Sequence, residues 1–202
     1  MKADVYRILA AVFFLVAGSL IAPPAVAQEH DHSMHDMGAP APPAAVEIQG
    51  ELGIVIAEAE EKFNSLAAAF TPQQYRWRPR EGVRSVSEVL MHVAGNNYWM
   101  PIELGANPPA GVPIRAEYLS VDEYEAISDK GEVLAAVEAS FKHLDMVVAN
   151  LPPERLDEVI DIFGKQGTVR AYLFLTTHHM HEHLGQLIAY ARMLGVTPPW
   201  SM

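Results

Sequence analysis

An all-α fold, a four-helix bundle with long connections between its helices, is predicted by three observations. Four segments repeat apolar residues in the 3-4 rhythm of a helix that buries one face. Each of them ends at a proline or a glycine, the residues that stop helices. Strand signals are scarce: Val159 to Phe163 alternates only weakly and reads as one short extended piece. A chain of 202 residues that is 50% apolar and 19% charged is neither disordered nor a multi-span membrane protein, and four helices of similar length suit one bundle.

The chain opens with Lys2 and Arg7 ahead of an apolar run, Ile8 to Ile21, then Pro23-Pro24 and Ala25-Val26-Ala27. A charged start, an apolar centre and a small-x-small end mark residues 1–27 as a cleaved export signal. The run falls short of the roughly 20 residues that a membrane-spanning helix needs, so no stable membrane anchor is expected after cleavage. A bacterial protein that is periplasmic or secreted follows. Residues 28–45 form a leader in which His30, His32 and His35 stand among Met34 and Met37, followed by a Gly/Ala/Pro stretch. Imidazole and thioether suit copper or zinc, but the sequence implies no fixed geometry, and the segment is expected to be a disordered spacer.

The folded domain is expected over residues 46–202. Its first helix is predicted over Glu47 to Phe70, with Leu52, Ile56, Ala59, Phe63 and Leu66 on one face, ended by Thr71-Pro72. Ser85 or Ser87 is placed to cap the second, which runs through Val89, Leu90, Val93 and Ile102 to Gly105. Ser128 is the expected cap of the third, which continues through Val137, Phe141, Leu144 and Val148 to Leu151 and stops at Pro152-Pro153. The fourth begins near Thr168 and reaches Leu194, with Gly195 where a terminating glycine is favoured. The connections 71–84, 105–127 and 152–167 are long for a bundle.

With 25 acidic against 14 basic residues, a formal charge of -11, no broad basic face is available and nucleic acid is not an expected partner. There is no cysteine, which excludes disulfides, a thiolate nucleophile and iron-sulfur clusters. Metal chemistry must therefore use His, Asp or Glu.

Nine histidines make this residue the informative one. On a wheel with His178 at zero, the apolar face of the fourth helix centres near roughly 200°, and His179 and His183 fall at roughly 100° and 140°, one turn apart on its edge. Tyr172, Thr176, Gln186 and Tyr190 share that stripe, whereas His178 points to solvent and His181 falls on the other flank. On the second helix His92 also lies at the edge of a core face, with Ser85, Asn96 and Glu103 on its side. His143 falls opposite the apolar face of the third helix and is expected to be exposed. Two imidazoles at i and i+4 can converge on one ion, and facing edges would add His92 as a third ligand while leaving positions open for water or substrate. His179-x-x-Glu182-His183 also matches the inverted zinc-protease signature. That signature needs a later carboxylate ligand, and no Asp or Glu follows Glu182.

These residues bring a family into view. Trp77-Arg78-Pro79, Val83 to Ala94 with His92, His179-x-x-x-His183-Leu184-Gly185-Gln186-Leu187, and Tyr190-Ala191-Arg192-x-x-Gly195-Val196-Thr197-Pro198-Pro199 resemble the DinB/YfiT-like superfamily of metal-dependent enzymes over Val46 to Trp200. The family's late motif usually reads His-x-x-x-His-Arg-Gly-Gln; here Leu184 stands in place of the arginine. The resemblance implies a four-helix bundle with a divalent metal, zinc or nickel, on His92, His179 and His183, usually in a homodimer. Some relatives work on low-molecular-weight thiols.

The expected function is an exported metal-dependent enzyme, a hydrolase or thiol-dependent transferase, acting on a small molecule. Asn96, Glu103, Tyr172 and Gln186 are within reach of its site, none with an assigned catalytic role. The alternative is a periplasmic protein that binds or sequesters metal without catalysis.

Overall fold

The structure is a computed structural model and describes residues 45–201. The expected export signal and all but the last residue of the leader lie outside the described residues. Among the described residues there are five α-helices: α1 (Ala45–Ala69), α2 (Val86–Trp99), α3 (Leu119–Tyr124), α4 (Lys130–Asn150) and α5 (Val169–Met193). The four long ones are the predicted helices and build the bundle, in which α1 packs on α4 and α5, and α2 on α4 and α5. Among the described residues, no helix is long and apolar enough to cross a membrane.

The apolar stripes meet as their periodicity demands. Leu52, Ile56, Phe63 and Leu66 of α1, Leu90 and Val93 of α2, Phe141 and Leu144 of α4, and Met180 and Leu187 of α5 are all buried in one core. Each such side chain contributes about 1.5–3 kcal/mol by leaving water. Sequence-local signals then fix the ends. Ser85 closes a capping box, accepting from the Glu88 N–H at 3.3 Å while the Glu88 carboxylate accepts from the Ser85 N–H at 2.7 Å. Thr168 caps α5 by accepting from the Ala171 N–H at 3.2 Å.

Four features differ from the expectations. Asp129, not Ser128, caps α4: its Oδ1 accepts from the N–H groups of Gly131 and Glu132 at 2.8 and 3.1 Å, and its charge faces the positive end of the helix. The second helix stops at Trp99 and tightens into a 3-10 segment, Met100–Leu104, because Pro101 has no N–H to donate back into the helix. The connection 105–127 contains α3, which is too short to show a period. The piece at Val159 is a hairpin strand: β1 (Val159–Ile162) pairs antiparallel with β2 (Lys165–Thr168), whose polar Lys165-Gln166-Gly167-Thr168 carries no alternation. Phe163 and Gly164 turn it with φ of 53° and 84°, the left-handed pair that matches strand twist.

His143 is the corrected residue. It is 5% exposed and packs on Tyr98 of α2, ring centroids 5.1 Å apart. Because α4 packs against both α1 and α2, its buried arc is wider than a single apolar stripe.

Candidate metal centre

Helices α2 and α5 lie side by side in the bundle. His92 stands two turns into α2, and His179 and His183 stand one turn apart on α5. Each ring offers a nitrogen, and these nitrogens all lie within 4.8 Å of one another. The Nε2 atoms of His92 and His179 are 3.1 Å apart. Two imidazole ligands at 2.0–2.1 Å from a tetrahedral ion subtend about 3.3 Å, so the donor set fits a divalent metal that takes nitrogen ligands.

The outer hydrogen bonds determine which ring nitrogen faces inward. The carboxylate of Glu125 accepts from His92 Nδ1 at 2.6 Å, which leaves Nε2 as the nitrogen turned toward the site. Arg84 holds that carboxylate by two parallel bonds, Nε to Oε2 at 2.8 Å and Nη2 to Oε1 at 3.0 Å. The second arm is fixed by polarity. The Arg84 carbonyl can only accept, so the Tyr190 hydroxyl donates to it at 3.0 Å. The Tyr190 oxygen then accepts from Gln186 Nε2 at 2.8 Å, turning Oε1 of Gln186 toward His183 Nδ1, 2.9 Å away. Nδ1 of His183 carries the proton and its Nε2 is free.

The electrostatics keep these rings available as ligands. Burial, with the nearby His183, His92 and Arg84, pulls His179 down to about 3. Burial also lowers His183, although its bond to Gln186 opposes the shift. At Glu125 burial pushes the carboxyl up, but the bonds from His92 and Arg84 outweigh it and hold the group below its ordinary range.

Packing explains how Glu125 arrives. Gly95 sits one turn along α2 from His92, and a Cβ there would stand 2.9 Å from Val121 Cγ1. The bare glycine lets α3 approach closely, and Glu125 immediately follows that helix.

The other expected residues divide. Asn96 donates to the His92 carbonyl at 2.8 Å and its Nδ2 lies 3.4 Å from His92 Nε2, beside the inner face of the site. Gln186 belongs to the outer shell. Thr176 is committed to the Tyr172 carbonyl at 3.0 Å. Tyr172 is buried with a hydroxyl that has no partner among the described residues. Glu103 is exposed and bonds to none of the three rings. Glu182 faces solvent 3.7 Å from His178, which removes the inverted zinc-protease reading, and Leu184 is core. The sequence reading missed Glu125, the linking role of Arg84, and Tyr118. Burial raises the Tyr118 phenol, whose ring stands edge-on to Trp99 with centroids 5.0 Å apart. A cleft of about 550 Å³ opens against Arg84, Glu125 and Gln186, and none of the three imidazoles lines it.

The sequence profile of the DinB superfamily matches residues 56–187. No curated protein matches the chain. Among solved structures, a DinB-like protein from Bacillus cereus is 13% identical with a TM-score of 0.58, over 70% of this chain and 89% of that one. A DinB-like protein from Bacillus subtilis is 22% identical with a TM-score of 0.56, over 73% and 93%. YfiT from Bacillus subtilis, described as a probable metal-dependent hydrolase with an unusual four-helix bundle topology, is 17% identical with a TM-score of 0.57, over 74% and 89%. At these identities the likeness is one of fold.

Proposed function

Since this chain belongs to the DinB superfamily, we propose that it is a metal-dependent hydrolase whose divalent ion is held by His92, His179 and His183. The observation that carries this reading is the inward convergence of the three rings, two of which have Nδ1 engaged from outside. An open three-histidine site supplies, when loaded, Lewis acidity and a water whose pKa falls to about 7.

The protein's own residues do the positioning. His179 and His183 stay neutral through the physiological range and need lose no proton to become ligands. Asn96 brings an amide to the inner side, where it can orient a polar substrate group. The export signal read from residues 1–27 favours hydrolysis over thiol transfer, because low-molecular-weight thiols are an intracellular pool. Zinc and nickel are the proposed ions, as the resemblance to the superfamily implies, and imidazole ligands suit both. The protein is further proposed to act as a periplasmic or secreted homodimer on a small-molecule substrate.

Metal analysis of the mature protein and of His179→Ala tests the assignment. One ion per chain is expected in the parent and a substoichiometric amount in the variant; full retention by His179→Ala contradicts it. Removal of residues 28–45 separates catalysis from sequestration: stoichiometry unchanged by truncation fits an enzyme, and a large loss of metal fits a buffering protein.

A further inference from the structure

The outer bonds of the site form two arms that start at one residue. From the guanidinium of Arg84 one arm runs through Glu125 to His92, which stands on α2. From the backbone carbonyl of Arg84 the other runs through Tyr190 and Gln186 to His183 on α5. Arg84 itself immediately precedes the capping box of α2, and its backbone is fixed by that cap. Every link has one polarity. The guanidinium only donates and the carboxylate only accepts; the carbonyl only accepts, which orients hydroxyl, amide and imidazole in turn.

Resting on the metal assignment above, we propose that Glu125 and Tyr190 are positioning residues that make His92 and His183 Nε2 ligands, and that Arg84 is the node from which both are set. Neither residue approaches the ion's place. Each acts by choosing the tautomer and rotation of a ring that does, so that the two helices present a matched pair of lone pairs before any ion arrives. An unanchored imidazole samples the other tautomer and ring orientations, and binding must then select one of them. Outer partners of metal-ligating histidines are typically worth 10–100-fold in metal affinity.

The two arms make distinct predictions. Arg84→Ala removes the guanidinium but keeps the carbonyl, so it disables only the Glu125 arm. Combined with Glu125→Ala it adds little further loss, whereas combined with Tyr190→Phe the losses multiply.

The experiment is titration of the full mature protein with Co²⁺ alone, followed by its visible spectrum and by competition with a chelator. The melting temperature of each metal-free variant serves as a control. We expect Glu125→Ala, which removes the direct partner of a ligand, to weaken Co²⁺ binding 10–100-fold, and Tyr190→Phe, one bond further out, to weaken it by a smaller but measurable factor. Their metal-free melting temperatures stay near the parent's, and the Co²⁺ spectrum changes in band position, which a purely structural role would not produce. Should Glu125→Ala lose helical structure, Glu125→Leu, which fills similar space but cannot accept from His92 Nδ1, and the single-atom change Tyr190→Phe decide. Parent-like affinity and spectrum in both variants overturn the proposal. A parent that binds no Co²⁺ removes the metal assignment itself, an outcome visible before any variant is made.

Discussion

Among single residues, His143 is the most exposed to test. It sits in the core against Tyr98 with both ring nitrogens unbonded among the described residues, and burial lowers its pKa. His179, at about 3, and His183 are lowered in the same direction. Below 6.5 the unfolded chain binds protons that these folded rings refuse. The contribution of these three rings to the stability of the metal-free protein is therefore fully present above about 6.5 and is lost as the pH falls below it, over a window that for His179 reaches down to about 3. Urea midpoints measured from pH 7.5 to 5 are expected to decline, and His143→Leu to raise stability at pH 7.5 by about 1–3 kcal/mol by removing unsatisfied buried nitrogens. A midpoint that is flat over that range contradicts this account. Sequence periodicity placed His143 on the surface because a wheel weighs one stripe, whereas α4 is covered from two sides.

At the scale of elements, the close contact of α3 on α2 decides whether Glu125 reaches His92. Gly95→Val puts side-chain atoms where Val121 already stands, and overpacking of this kind costs about 1–3 kcal/mol. Chemical denaturation is expected to show that loss, and metal titration of the same variant a weaker site; unchanged values in both show that α3 does not depend on this contact. The long helices were legible because their apolar period runs over many residues and their caps, Ser85 and Thr168, are local. The six-residue α3 buries Ser120, Val121 and Tyr124 but is too short for that spacing to stand out as a period, and the polar strand β2 carries no alternation and is placed by its pairing with β1. That is also why Glu125 was not legible. It lies in a connection, acidic like much of the chain, and its meaning comes from an approach that Gly95 permits.

Across the whole molecule, a bundle explains how a site is assembled from residues far apart in sequence. His92 and His179 are 87 positions apart, yet their Nε2 atoms stand 3.1 Å from each other because α2, buried over nearly its whole length, packs beside α5, and both helices are capped at their starts. Wheel arithmetic on separate helices put each ring at the edge of a core face, and a bundle leaves few ways for such edges to meet. The most direct test is zinc K-edge X-ray absorption of the zinc-loaded mature protein. The account predicts imidazole scattering from three histidines with nitrogens at about 2.0–2.1 Å, reduced in His179→Ala. A spectrum with no histidine shell, or one unchanged in that variant, contradicts it.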